Sequence, residues 1–171
     1  AHFRLPSAMR WDFTAKPAGV PVRRGVESYD GAIFRTMRGN STPTVNDDPQ
    51  FISTAQRRLW AIAAVLLTPL GDHFVELSIV DDLTFSARNT QIDTAVQIQL
   101  KPNYQIESVW VDMYNADADE TQRFSMRVES ELVTFADLLI PRKMAAFWGD
   151  KPWFEAEPTA VENNPEIPEA V

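Results

Sequence analysis

The nine residues Leu59 to Leu67 (LWAIAAVLL) carry no charged or amide side chain, and they close a segment whose apolar residues follow helical spacing. Phe51, Ile52, Ala55, Leu59, Ile62, Ala63 and Leu66 recur every three or four positions, while Gln56, Arg57 and Arg58 mark the wet side of the first half. Asp48 followed by Pro49 reads as an N-cap and first helical residue, and Pro69 with Gly71 ends the run. A helix over 49–68 is therefore expected. Because its second half is apolar all round, that half has to be enclosed on several sides. It is also far shorter than the roughly 20 residues needed to cross a bilayer, so the chain is expected not to span a membrane.

Outside this helix the pattern is period two, the signature of strands with one buried face. Trp11 and Phe13 alternate with Arg10 and Asp12. Residues 20–28 lead through Tyr29-Asp30-Gly31 into residues 32–38, where Asp-Gly signals a tight hairpin. After the helix, Val75, Leu77 and Ile79, then Leu83, Phe85 and Ala87, then Val96, Ile98 and Leu100 alternate with polar neighbours. Residues 106–114 carry apolar side chains on both faces, as a central strand would. Phe124, Met126 and Val128 alternate again, residues 132–141 fit no single pattern, and residues 142–161 form a last hairpin around Gly149-Asp150. The expected fold is mainly β (α+β): a curved antiparallel sheet or unclosed β-barrel of about eight to ten strands, with the one apolar helix on its concave face. Residues 1–161 are expected to be a single domain and 162–171 an extended acidic, Pro-containing tail.

Composition narrows the chemistry. A formal net charge of -8 opposes a phosphate backbone, so nucleic acid is not an expected partner; the basic residues Arg23, Arg24, Arg35 and Arg38 read as a solvated sheet face. The absence of cysteine removes thiolate chemistry and Cys-type metal sites. The two histidines give little material for a triad or a metal centre: His73 and Asp81 stand at opposite ends of a strand, ~20 Å apart. Residues 115–120 (NADADE) resemble the start of a calcium loop but lack its Gly at position six and its Glu at position twelve, and read as an acidic hairpin tip. Six glycines leave no phosphate loop or nucleophile elbow. No catalytic residue, metal ligand or cofactor is expected.

What remains is aromatic and apolar. A sheet closed by an apolar helix can enclose a cavity, and burying about ten methylenes of an acyl chain would gain ~8 kcal/mol before the costs of immobilisation. The residues expected to line such a cavity are Trp11, Phe13, Phe34, Trp60, Ala63, Leu67, Phe85, Ile98, Trp110, Phe124, Met126 and Phe147.

The order of strand pair, helix with RRLWAIAAVLLTPL and a run of antiparallel strands resembles the bacterial lipoprotein-carrier superfamily of LolA/LolB-like half-barrel envelope proteins. The segment DLLIPRKMAAFW (137–148) and the closing KPWFEAEPTAVENNPEIPEAV, with its Asn-x-x-Ile-Pro tail, are similar to that family's last strands. The resemblance implies an unclosed barrel outside the cytoplasm, in the periplasm, holding lipid or acyl chains, and it assigns no individual residue a role. A non-enzymatic envelope protein binding a lipid or other hydrophobic ligand is the leading expectation. The alternative is a structural or accessory subunit of a larger assembly, docking a protein partner through the C-terminal tail and the two-faced strand around Trp110.

Overall fold

The computed structural model describes residues 2–5, 7–15, 23–66, 68–135 and 138–162. The protein is mainly β, with one α-helix and antiparallel sheets that do not close into a barrel. Its contacts divide it into two compact units, Ala1–Leu59 and Trp60–Val171.

The first unit holds a five-stranded antiparallel sheet in sequence order: β1 (His2–Arg4), β2 (Ala8–Ala15), β3 (Arg23–Tyr29), β4 (Phe34–Arg38) and β5 (Thr44–Asn46). The helix α1 (Pro49–Val65) then begins as its sequence dictates, with Asp48 Oδ1 accepting from the Gln50 N–H at 2.8 Å and Asp48 O from the Ile52 N–H at 3.1 Å. Met9, Tyr29, Ala55 and Leu59 form the buried core here, with Leu5, Phe34 and Ile52 packed against it. The register pairs Phe13 with Gly25, and the Phe13 ring lies so close over Gly25 that a Cβ there would overlap it. Glycine is thus set by its neighbour, as an aromatic ring covers the backbone a side chain would otherwise shield.

One expectation fails in this unit. Arg58 does not face water: it is only 9% exposed, its guanidinium lies 5.8 Å from the Phe34 ring centroid, and it pairs with Glu27 at 3.3 Å. Glu27 shares a face of β3 with Tyr29, the inward-facing residue, so the sheet offers Arg58 a counter-charge that the helix sequence does not display.

The β3–β4 hairpin turns where Asp-Gly predicts, with Gly31 at φ 99°. Asp30 organises the turn: its carboxylate pairs with Arg35 at 2.5 Å and accepts from the backbone N–H groups of Ile33 (2.9 Å) and Ala32 (3.0 Å). These partners, Arg35 foremost, hold the Asp30 carboxyl down at about 2. A depressed folded-state pKa stabilises the fold above the ordinary carboxylate range near 4, and that stabilisation is lost as pH falls toward 2. Asp30 is about half exposed, so solvent screens the ion pair and the turn hydrogen bonds dominate. Asp30→Ala should cost ~1 kcal/mol at pH 7, and urea melts at pH 7 and pH 3 should show the gap to the parent protein narrowing at the lower pH.

The second unit is built on β6 (Val75–Ile79), β7 (Thr84–Asn89), β8 (Thr94–Leu100), β9 (Ile106–Asn115), β10 (Glu120–Val128), β11 (Leu132–Phe135), β12 (Leu138–Pro141), β13 (Met144–Trp148) and β14 (Lys151–Ala156). Seven of these form one antiparallel sheet in the order β14-β13-β10-β9-β8-β7-β6, and β11 with β12 makes a separate hairpin between β10 and β13. Cross-strand register sorts the side chains into two faces. Ala87 pairs with Val96; Ile98, Val109, Met126 and Ala146 align across four strands; Val111 pairs with Phe124; all are buried. Residues 60–65 of α1 belong to this unit. Here Trp60, fully buried, donates its indole N–H to the Ala87 carbonyl at 3.0 Å, which fixes the helix to the sheet.

Fourteen strands occur among the described residues, where alternation alone counts about eight to ten. The excess lies in β1, β5, β11 and β12, which have only three or four residues each and are too short to show a period. The helix ends at Val65, three residues short of the expected limit, and the last strand ends at Ala156.

Candidate functional site

The twelve residues expected to line one cavity fall into separate groups. Trp11, Phe13 and Phe34 stand on the five-stranded sheet of the first unit. Trp60, Ala63, Ile98, Phe124 and Met126 are buried on the helix-covered face of the second unit, where they pack as core. Phe85, in β7, is half-buried. Trp110 and Phe147 do not join them. They align with Gln97 and Ser125 on the opposite face of the seven-stranded sheet, because residues one position apart along a strand point to opposite sides. Leu67 and the tail residues 163–171 lie outside the described residues.

The covered apolar face continues beyond its core to the edge strand β6. Register sets Leu77 beside Ala87 and Ile79 beside Phe85, yet Leu77 is 56% exposed and Ile79 88%, with Val80 also exposed. The backbone of this edge is open as well. Thr90 N–H donates to Phe74 O at 2.9 Å and Val80 N–H to Thr84 O at 2.9 Å, so the even-numbered residues of β6 bond toward β7. By the alternation of an antiparallel ladder, Leu77 and Ile79 point their N–H and C=O groups away from the sheet. Natural edge strands are commonly protected by proline, lysine or a bulge. Here β6 (VELSI) carries none of these, and its one charge, Glu76, is drawn to Arg88 at 3.1 Å on the other face.

No protein family, curated protein or solved structure matches this chain. Among the described residues no group of three His, Asp or Glu side chains stands close enough to hold a metal ion. His73 is exposed, with its ring edge-on to Phe74 at 5.6 Å. The acidic tip after β9 is engaged in its own turn: Asn115 Oδ1 accepts from the Asp117 N–H at 3.1 Å, and the Tyr114 hydroxyl donates to Asp119 Oδ1 at 2.7 Å. No helix of the described residues is long and apolar enough to cross a membrane.

At the other end of the sheet Phe124, Trp148 and Trp153 pack edge to face, with ring centroids 5.3 to 5.8 Å apart from Phe124. Trp153 is partly exposed on the edge strand β14. Sequence reasoning missed the exposed β6 edge because Val75, Leu77 and Ile79 alternate like any half-buried strand. Alternation identifies the apolar face but carries no signal of whether anything covers it.

Proposed function

We propose that the protein is a non-enzymatic binding protein of the bacterial cell envelope that takes an acyl chain or similar apolar ligand along the β6 margin of the helix-covered face. The observation that carries this reading is the continuity, by register, of a packed apolar face with an exposed strip of Leu77, Ile79 and Val80. Covering Leu77 and Ile79 offers ~3 kcal/mol, and a ligand of about ten methylenes brings ~8 kcal/mol of its own before immobilisation. The resemblance of RRLWAIAAVLLTPL and PRKMAAFW to segments of the half-barrel lipoprotein carriers supports the same reading and a periplasmic location. An open antiparallel sheet with a helix on one face agrees with the architecture that resemblance implies.

A dansyl-labelled fatty acid tests it by fluorescence titration. Saturable binding is expected, about 10-fold weaker in the Leu77→Ser/Ile79→Ser double variant, with little change in Tm because both side chains are already exposed. Absence of saturable binding, or equal binding by the variant, overturns the reading.

The outward N–H and C=O groups of Leu77 and Ile79 favour a second reading, an accessory subunit that receives a partner's strand at this edge. Light scattering on native extract separates the two: a ligand-loaded monomer supports the first, and a chain recovered only in a larger complex supports the second.

A further inference from the structure

The face of the seven-stranded sheet opposite Trp60 carries an open groove of about 480 Å³, within the roughly 300–1,000 Å³ of small-molecule sites. Its origin is legible in the strand register. Ser125 of β10 sits between Trp110 of β9 and Phe147 of β13, and Ser108 of β9 sits between Gln99 of β8 and Arg127 of β10. Two small polar residues flanked by four large ones leave a hollow floored by hydroxyls. Glu107 and the Gly149-Asp150 turn form its rim.

Two arginines of the walls lie over aromatic rings. Arg127 lies 4.4 Å from the centroid of the Phe147 ring; Arg123 lies 5.6 Å from that of Trp110 and pairs with Asp112 at 3.4 Å. A guanidinium stacked on an aromatic ring presents its N–H fork in a preferred plane, which lowers the rotamer freedom lost on binding. The charges lining the groove cancel, Arg123 and Arg127 against Glu107 and Asp150. With a chain of net charge -8 around it, a free anion gains no field advantage there. A cation meets the two guanidinium groups; the Ser108 hydroxyl already donates to Gln99 Oε1 at 3.5 Å, and an acyl chain would strand the Ser125 hydroxyl and the Gln99 N–H groups without water. The chemistry that fits is uncharged, rich in hydroxyls and flat enough to lie against an indole.

We propose that this groove binds a neutral saccharide, with a sugar ring beside the Arg123–Trp110 stack and Arg127, Gln99, Ser108 and Ser125 bonding its hydroxyls. The site is independent of the β6 margin, being on the other face of the sheet.

Chitotriose and maltotriose are the probes, titrated into isotopically labelled protein and followed by NMR at the indole and guanidinium N–H groups. Saturable shifts at Trp110, Arg123 and Arg127 are expected with at least one of the two. Ser125→Leu, which fills the floor, should weaken binding at least 10-fold. Where that variant fails to fold, Gln99→Ala and Arg127→Ala carry the comparison, each expected to weaken binding several-fold. No saturable shift with either saccharide, affinity unchanged in the floor and rim variants, or a stronger response at Arg127 to inorganic phosphate would each overturn the proposal. The Leu77→Ser/Ile79→Ser variant should bind saccharide normally, so failure of the fatty-acid titration and failure of this one are read separately.

Discussion

Replacing Trp60 with alanine is expected to remove ~4 kcal/mol of stability, the upper range for large-to-small changes in a core. Trp60 is fully buried, and its indole N–H bonds the Ala87 carbonyl at 3.0 Å, so truncation leaves both a cavity and a carbonyl without its side-chain donor. The effect should be large because Trp60 supplies most of the side-chain bulk in this part of the helix: Ala61, Ala63 and Ala64 beside it are fully buried and add little volume of their own. Trp60→Phe keeps most of the bulk and loses the hydrogen bond, for an expected ~1–2 kcal/mol. Urea denaturation with both midpoint and slope measured checks the pair. For a domain whose whole stability is ~5–15 kcal/mol, the alanine variant should be visibly marginal at 37 °C. A Trp60→Ala protein within ~1 kcal/mol of the parent would mean that the helix does not rest on the sheet as described.

The elements readable from the sequence were those whose information is local. Asp48-Pro49 starts the helix where a cap and a fixed φ require it, Asp30-Gly31 turns a hairpin, and Gly149-Asp150 turns another with Gly149 at φ 56°. Alternation likewise sorted Val109, Val111 and Met113 from their neighbours in β9, and marked it as a strand with both faces occupied; it is now seen in the middle of the sheet. What alternation cannot supply is which face of one strand meets which face of the next. Composition groups Trp110 and Phe147 with Phe124 and Met126 as aromatic and apolar residues of one cavity. Pairing of Trp110 with Ser125, one position from Phe124 and Met126, puts them on the other side of the sheet. Burial in a strand is half a property of the strand and half of its neighbours, so a residue list drawn from composition mixes core with surface.

The β6 edge and the Arg58–Glu27 pair were both illegible for the same reason, approached from opposite directions. Leu77 and Ile79 have the pattern of covered residues and are exposed, since nothing in their own sequence shows that β6 is the last strand of a sheet. Arg58 has the character of an exposed residue and is buried, since its counter-charge stands 31 positions away on another element. Long-range partners decide both, and a single sequence records only one side of each encounter.

That pair gives the second large effect. Burial lowers the pKa of the Arg58 guanidinium while Glu27 at 3.3 Å raises it, and an arginine stays charged at any pH the fold tolerates. Removing the carboxylate therefore takes a counter-charge from a buried cation. Glu27→Ala should cost ~2–3 kcal/mol, below the ~3–5 kcal/mol of a fully buried pair because the Glu27 side chain is itself about a third exposed. Arg58→Met asks less: the long apolar stem is replaced in kind against Phe34, and the Glu27 carboxylate still reaches water, so ~1 kcal/mol or less is expected. The double variant Glu27→Ala/Arg58→Met should lie close to the methionine variant and well above the alanine one, a coupling of ~2–3 kcal/mol in a double-mutant cycle read by urea melts. Strict additivity would show that the two side chains do not interact in solution. An Arg58→Met protein as unstable as Glu27→Ala would mean that the guanidinium is held for its other contacts, with the carboxylate a bystander.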